Sequence, residues 1–171
     1  MPNTNKLRLT GISYTQLNLI GLVIPSLLLG FGYYLQFAKD LEPCPLCMTQ
    51  RIAFYAVAII SLAALISPKS QFIQHFWAAF GGIFALLGAA VAGRQIWLQS
   101  LPEDQIPACG PSFEFIIDRF PLGEAISILL KGTGDCAEKV WSFLGLNIPD
   151  WSLLAFIGLA LVFTVKLIKN P

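Results

Sequence analysis

Four long stretches of this chain carry no charged residue, and they limit the possible folds more than any other feature. The stretches are 9–38, 52–68, 70–93 and 151–165. A helix needs about 20 apolar residues to cross the hydrocarbon core of a bilayer. Two stretches are shorter, but Arg51 and Lys166 can extend their apolar stems toward the interface and complete them. We therefore predict four spanning helices. Their approximate positions are 16–37, 49–66, 72–93 and 151–168.

The composition agrees with a membrane protein. Hydrophobic residues make up 56% of the chain and charged residues 12%, whereas a typical soluble domain has about 25% charged residues. A water-soluble bundle would need polar outer faces that these segments lack. A net charge of +1 provides no basic surface for nucleic acid. The predicted fold is all-α, an integral membrane four-helix bundle forming a single domain over 1–171. The first span lacks a cleavage-site pattern and is expected to be an uncleaved anchor.

The distribution of charge predicts the orientation. The segments 1–15 and 67–71 and the tail from Lys166 are short and contain no acidic residue. The loops 38–48 and 94–150 hold all ten acidic residues. Because short cytoplasmic segments are enriched in Lys and Arg, the basic segments should face the cytoplasm. The basic residues concerned are Lys6, Arg8, Lys69, Lys166 and Lys169. In a bacterium the chain would be an inner-membrane protein with cytoplasmic termini and two periplasmic loops.

All four cysteines fall in the two outward loops, at Cys44, Cys47, Cys109 and Cys136. Disulfides form and persist on that side of the membrane. Four cysteines allow three connectivities, and the sequence alone does not choose among them. Cys44 and Cys47 form a C-x-x-C motif, the spacing of reactive dithiols, and a structural bridge gains little from so short a loop. A zinc site with four cysteines usually has two pairs that are each close in sequence. Only Cys44 and Cys47 form such a pair here, so no metal site is predicted.

The second span should begin at the C-x-x-C motif. Pro45 suits the first position of a helix, which makes Cys44 the N-cap and puts Cys47 in the first turn. The positive end of the helix dipole favours a thiolate there. Arg51 follows Cys47 by four residues and shares its helix face. Arg51 is therefore a candidate functional residue, and the alternative is an interfacial anchor that snorkels to the headgroups.

The loop 94–150 is too long for a simple connector. Apolar residues recur at helical spacing over 113–130, which predicts a short interfacial helix, with a small packed loop core as the alternative. The sequence Lys131-Gly132-Thr133-Gly134 predicts flexibility just before Cys136. We therefore expect Cys136 on a mobile, exposed loop that can reach another thiol.

Two cysteine pairs suggest a relay that needs a further acceptor. Thiol–disulfide exchange conserves disulfides, so net oxidation requires an electron acceptor that is not a thiol. No dinucleotide, P-loop or haem-attachment motif is present. The reactive dithiol lies at the predicted membrane boundary, where a lipid-soluble quinone is accessible.

The chain resembles the bacterial disulfide bond formation protein B (DsbB) family. Members are inner-membrane thiol:quinone oxidoreductases that reoxidise the thioredoxin-fold protein DsbA. The resemblance covers about Leu17 to Ile168. Its most specific parts are the C-P-L-C motif with Arg51, and Gly-Asp-Cys-Ala-Glu at 134–138 leading into Trp-Ser-Phe-Leu-Gly-Leu at 141–146.

The resemblance implies a role for each cysteine. Cys109–Cys136 would be the disulfide that faces a DsbA-like partner, whose cysteine attacks Cys109. The released Cys136 would pass electrons to the Cys44–Cys47 pair through a transient Cys44–Cys136 bridge. Cys47 would then meet the quinone, a ubiquinone or menaquinone, and Arg51 would support quinone binding. The expected partners are the DsbA-like oxidase, the lipid and the quinone pool, and the chain is expected to be a monomer.

Two glutamines depart from residues found in some family members. Gln95 stands where some carry a histidine, and Gln50 where some carry a glutamate. A glutamine can hydrogen-bond a quinone carbonyl but cannot titrate, so Gln95 is a candidate quinone contact without a protonation role.

Two alternative functions remain open at this point. One is a paralogue or another quinone-linked thiol oxidoreductase with a dedicated partner. In vitamin K epoxide reductase-like proteins, however, the loop pair precedes the C-x-x-C motif, and here that order is reversed. The other alternative is a membrane protein that binds a soft metal through Cys44 and Cys47.

Overall fold

Four long helices form a bundle in the computed structural model, which describes residues 13–68 and 70–168. The predicted cytoplasmic charges Lys6, Arg8, Lys69 and Lys169 lie outside these residues. The helices are α1 (Tyr14–Ala38), α2 (Pro45–Ile66), α3 (Gln71–Gln99), α4 (Phe113–Arg119), α5 (Leu122–Lys131) and α6 (Ile148–Ile168). Two short strands, β1 (Ser142–Phe143) and β2 (Leu146–Asn147), pair as an antiparallel hairpin. Single turns of 3₁₀ helix cover Glu103–Gln105 and Gly134–Ala137.

The helices α1, α2, α3 and α6 are each long and apolar enough to cross a membrane. This confirms the predicted all-α bundle with four spans. Helix α2 begins at Pro45 with Cys44 as its N-cap, as the sequence predicted. Helix α3 continues beyond its predicted end at residue 93 as far as Gln99, because no helix-breaking residue interrupts it before Pro102. That extension makes Gln95 a helical residue facing α2.

Aromatic rings packed against glycines hold the centre of the bundle together. A Cβ atom added at Gly88 would lie 2.3 Å from the Phe156 ring, and one added at Gly81 would lie 2.4 Å from the Phe163 ring. The ring of Phe156 also stacks on Phe54 of α2, with a centroid distance of 4.0 Å. Small residues thus let α3 and α6 approach closely, as is common where helices pack within a membrane.

A buried polar cluster lies at the end of the bundle opposite the cysteines. Asn18 donates to Gln74 at 3.1 Å, and Gln74 donates to the carbonyl of Ala64 at 3.0 Å. Lys166 donates to the side-chain oxygen of Asn18 and has no exposed surface within the chain. The prediction that Lys166 snorkels is therefore wrong. Asn18 supplies an acceptor inside the bundle, so the ammonium group turns inward.

The long loop contains two short helices rather than one. Pro121 ends the first helical segment, and α4 and α5 pack together around Ile116, Ala125 and Leu129. Other apolar residues of the two helices remain exposed, among them Phe115, Ile117, Leu122, Ile126 and Leu130. The structure thus contains a small packed loop core. Contact between the exposed apolar face and a membrane stays a prediction.

Candidate functional site

The C-x-x-C motif lies where the first turn of α2 faces the last turns of α3. The sulfur atoms of Cys44 and Cys47 are 3.0 Å apart, and the Cys47 backbone N–H donates to the Cys44 sulfur at 3.4 Å. The side-chain amide of Gln95 reaches both sulfurs, at 3.4 Å from Cys44 and 3.2 Å from Cys47. Gln95 therefore contacts the whole dithiol.

Gln50 fixes the position of Gln95. Its amide nitrogen donates to the Gln95 side-chain oxygen at 2.6 Å, and both side chains are buried. Neither glutamine can gain or lose a proton near neutral pH. Gln50 and Gln95 therefore give the dithiol polar but uncharged neighbours, and the two glutamines act by hydrogen bonding alone.

Cys136 is buried against the same dithiol. Its side chain has no exposed surface and packs with Leu46, Leu98 and the partly buried Cys44. The prediction of an exposed Cys136 is therefore wrong. The 3₁₀ turn Gly134–Ala137 carries the residue inward, and its backbone N–H bonds to the carbonyl of Thr133 at 3.0 Å.

The contacts of Cys136 favour its thiolate. A hydrogen bond from the Cys44 thiol, assisted by the Leu46 backbone N–H at the start of α2, outweighs the opposing effect of burial and lowers the pKa of Cys136 to about 6. The single thiol hydrogen of Cys44 is donated to Cys136 or to Cys47, and these hydrogen bonds raise the pKa of Cys44. Of the neighbouring Cys44 and Cys136 sulfurs, Cys136 is thus the one that carries the thiolate, the nucleophilic form of a cysteine.

Cys109 is the exposed cysteine, and it lies beside the segment that leads into Cys136. The Gly134 N–H bonds to the carbonyl of Ala108 at 3.1 Å. The Asp135 carboxylate accepts a hydrogen bond from the Cys109 thiol and raises the pKa of that thiol. The structure thus gathers three sulfurs at the start of α2 and leaves the fourth at the surface. Sequence reasoning missed Asp135, although it directly precedes a cysteine.

Arg51 extends from α2 toward α1. It donates to the Gln36 side chain at 2.6 Å and to the Gly32 carbonyl at 3.0 Å. Its guanidinium lies 4.8 Å from the centre of the Tyr33 ring. These contacts keep the guanidinium partly buried instead of in open solvent. They were not predictable from the sequence, because helical spacing places Arg51 on a face without saying which helix that face meets.

A pocket of about 490 Å³ opens beside the dithiol. Its polar lining includes Cys44, Cys47, Arg51 and Gln95. Its apolar lining includes Leu28, Leu29, Phe31, Leu35, Phe54 and Trp141. Trp141, just before the hairpin, meets Phe31 of α1 edge to face with ring centroids 5.5 Å apart. The arrangement suits a flat apolar molecule that carries hydrogen-bond acceptors at one end.

Among residues 13–68 and 70–168, no three His, Cys, Asp or Glu side chains are arranged so that they could hold a metal ion.

Comparisons with known proteins identify close relatives over most of the chain. The sequence profile of the family described as disulfide bond formation protein DsbB matches residues 14–166. A disulfide bond formation protein B of Hahella chejuensis is 50% identical over 144 residues, covering 84% of this chain and 87% of that protein. Proteins of the same name from Nitrosococcus oceani and Methylococcus capsulatus are 46% and 44% identical. They cover 84% and 82% of this chain, and 85% and 86% of their own lengths. No solved structure matches the chain at a comparable level.

Proposed function

The chain belongs to the disulfide bond formation protein B family, and we propose that it reoxidises a DsbA-like periplasmic dithiol oxidase and passes the electrons to a membrane quinone. Family membership makes the protein a multi-pass membrane oxidoreductase of disulfide formation. The observation that carries the finer proposal is the position of Cys136, buried against Cys44 while Cys109 stays exposed.

The first exchange takes place at the surface. A thiolate of the reduced partner attacks the Cys109 sulfur of a Cys109–Cys136 disulfide. The bond between the partner and Cys109 forms, the Cys109–Cys136 bond breaks, and the electron pair leaves on Cys136. Hydrogen bonds from the Leu46 backbone N–H and from Thr133 lower the pKa of Cys136 and do not require a Cys44 thiol, so they make Cys136 the better leaving group, because a thiol of lower pKa leaves faster. The exposure of Cys109 makes it the accessible sulfur.

The second exchange takes place inside the protein. The Cys136 thiolate attacks the Cys44 sulfur of the Cys44–Cys47 disulfide, a Cys44–Cys136 bond forms, and the electron pair leaves on Cys47. The contact between Cys136 and Cys44 supports this order. The second thiol of the partner then attacks the partner sulfur bound to Cys109, which releases oxidised partner. Cys109 next attacks Cys136 and restores the first disulfide, so both electrons rest on Cys44 and Cys47.

The pocket beside the dithiol fits a quinone head group. It offers apolar walls, as well as donors on Arg51 and Gln95 that match carbonyl oxygens. A bound quinone supplies an acceptor for two electrons and two protons. Arg51 would hold and orient a carbonyl oxygen, and its positive charge would stabilise negative charge developing there. Phe31 and Trp141 would exclude water from the dithiol.

We also propose that the cysteine end of the bundle faces the periplasm, with both termini in the cytoplasm. This orientation requires the chain to cross the membrane in alternating directions. The position of the cysteines at one end of the bundle and of Lys166 at the other supports such a path. A reporter fused near Glu103 should read periplasmic, and one fused at the C-terminus should read cytoplasmic. A cytoplasmic signal near Glu103 would refute this orientation.

Trapping of the partner tests the proposed function. In Cys136→Ser the free Cys109 thiolate can attack the disulfide of oxidised DsbA-like protein, so that a Cys109–partner bond forms, the partner disulfide breaks and the electron pair leaves on the second partner cysteine. Because no Cys136 thiol is present to displace the partner from Cys109, this mixed disulfide should accumulate. Cys47→Ser should oxidise the partner once and then stop. Cys109→Ser is the matched control and should trap nothing. Sustained turnover of Cys47→Ser with quinone would refute the relay, and purified protein that holds a soft metal but no quinone would favour the metal-binding alternative.

A further inference from the structure

Two loop segments that carry the outer cysteine pair lie directly against each other. We refer to residues 107–110 and 133–136 together as the clasp. The Gly134 N–H donates to the Ala108 carbonyl at 3.1 Å. The Asp135 carboxylate accepts from the Gly110 N–H at 3.3 Å and from the Thr133 hydroxyl at 3.0 Å. These three hydrogen bonds use no sulfur atom, so they do not depend on a bond between Cys109 and Cys136.

The two segments approach so closely that side chains are excluded between them. A Cβ atom added at Gly134 would lie 2.5 Å from the Pro107 carbonyl oxygen, which is backbone and cannot rotate away. A Cβ atom added at Gly110 would lie 2.1 Å from the Thr133 side chain. The two glycines therefore permit backbone contact, and the clasp is a fitted junction of two otherwise separate parts of the long loop.

We propose that Asp135 is a positioning residue that keeps Cys109 next to Cys136 while the disulfide between them is open. This inference rests on the proposed function, in which that disulfide opens and closes in every cycle. The Asp135 carboxylate is bonded to the backbone beside Cys109 and directly precedes Cys136 in the chain. One side chain thus links the positions of both sulfurs.

The step that benefits is the closing of the outer disulfide. Cys109, after losing its proton to water, attacks the Cys136 sulfur of the Cys44–Cys136 bridge. The Cys109–Cys136 bond forms, the Cys44–Cys136 bond breaks, and the electron pair leaves on Cys44. Holding two groups together raises their effective concentration and favours the internal reaction over attack by other thiols.

The charge of Asp135 adds a second effect. The groups that raise the pKa of Cys109 are Asp135, through a hydrogen bond and its charge, and more weakly Glu138 through its charge. An exposed thiolate is the form most easily oxidised. Asp135 therefore protects the waiting Cys109 from oxidation by keeping it largely protonated, and it holds close to Cys136 the small deprotonated fraction that attacks.

The test uses the full chain in detergent with Cys44 and Cys47 both changed to alanine. The measured quantity is the equilibrium constant for closing Cys109–Cys136 in a glutathione redox buffer. Asp135→Ala removes the bonds to Gly110 and Thr133 and also the bond from the Cys109 thiol, which stabilises only the open form. Because the two bonds within the clasp outweigh the third, the constant should fall about tenfold, whereas Asp135→Asn keeps an oxygen acceptor and should stay within about threefold of the parent. Glu138→Gln is the matched control, because it removes a nearby charge without changing the clasp.

A second measurement separates positioning from a general loss of structure. In the reduced protein, the rate of Cys109 alkylation is followed against pH by mass spectrometry. Asp135→Asn should shift the profile to lower pH, an effect that a merely structural role would not produce. If Asp135→Ala fails to fold, Thr133→Val replaces it. That variant loses one of the three bonds and also the weak contact of the hydroxyl with the Cys136 sulfur, at 3.9 Å. Because the bond to Asp135 is the shorter and stronger of the two, the closing constant should still fall about threefold.

Two results would overturn the inference. One is a closing constant in Asp135→Ala that equals the constant of the parent. If Thr133→Val has replaced the alanine variant, the same result in Thr133→Val counts. The other is a Glu138→Gln variant that closes as poorly as Asp135→Ala. The measurement needs neither partner nor quinone. If the predicted closing constants are not observed, the result of the partner-trapping experiment is unaffected. If no mixed disulfide is trapped, the closing constants still test the role of Asp135.

Discussion

Replacing Arg51 tests the proposed quinone pocket most directly. The guanidinium has five N–H donors, and in the structure two of its nitrogens bond to Gln36 and Gly32 of α1. Arg51 also lines the pocket, so donors remain for a ligand there. We predict that Arg51→Ala raises the apparent KM for quinone and leaves the reaction of Cys109 with the partner nearly unchanged.

The size of the effect follows from one lost contact. A hydrogen bond involving a charged group contributes about 1.5–3 kcal/mol. Because about 1.4 kcal/mol corresponds to a factor of ten, the KM should rise about 10- to 150-fold. Arg51→Lys keeps the charge but loses the planar fork, so its increase should stay below about tenfold. Gln36→Ala removes one of the bonds that orient the guanidinium, so its KM for quinone should lie between the values of the parent and of Arg51→Ala.

The assay is steady-state oxidation of reduced partner across a quinone titration. Arg94→Ala is the matched control, since Arg94 lies at the same end of the bundle but packs on Trp97 and bonds to the Lys131 carbonyl, away from the pocket. Protein level and membrane insertion are checked for each variant. An Arg51→Ala protein with the quinone dependence of the parent would refute the pocket assignment and leave the residue as an interfacial anchor.

Two further predictions concern the thiols and the packing. In the reduced protein Cys136 should titrate near pH 6, and Cys44→Ala should move that titration toward the ordinary thiol value of 9.0, because the main hydrogen-bond donor is lost. In the parent, the Cys136 thiolate stabilises the reduced fold, and this stabilisation is lost as the pH falls through about 6. Thiolate absorbance against pH measures this, and an unshifted titration in Cys44→Ala contradicts it. Gly88→Ala should lower thermal stability by about 1–3 kcal/mol, because the new methyl group overlaps the Phe156 ring. Gly93→Ala on the same helix meets open space and should not destabilise, so equal melting temperatures for the two variants would contradict the packing argument.

The features that the sequence predicted correctly depend on local chemistry. Gaps between charges fixed the number of spans, because a charge inside the hydrocarbon is unfavourable wherever the rest of the chain lies. Pro45 and Cys44 predicted the start of α2, because capping depends only on neighbouring residues. The C-x-x-C spacing likewise identified the dithiol without any tertiary information.

The errors arose where one segment packs on another. Gly132 and Gly134 suggested flexibility before Cys136, but Gly134 allows close backbone contact with Pro107. The long apolar stem of Lys166 predicts that its charged end extends toward the interface. Its acceptor, Asn18, lies 148 positions away. The tertiary fold determines such contact partners, and neither the periodicity nor the composition of the sequence contains information on them.

The link between Lys166 and Asn18 has a consequence for how the chain is made. Helix α1 is synthesised before α6, so Asn18 is already in the membrane when the ammonium group of Lys166 arrives. An ammonium group without an acceptor is strongly disfavoured in lipid. Helix α1 therefore supplies α6 with an acceptor for its ammonium group inside the bundle, and a chain that stops before α6 lacks the helix that packs against both α1 and α3.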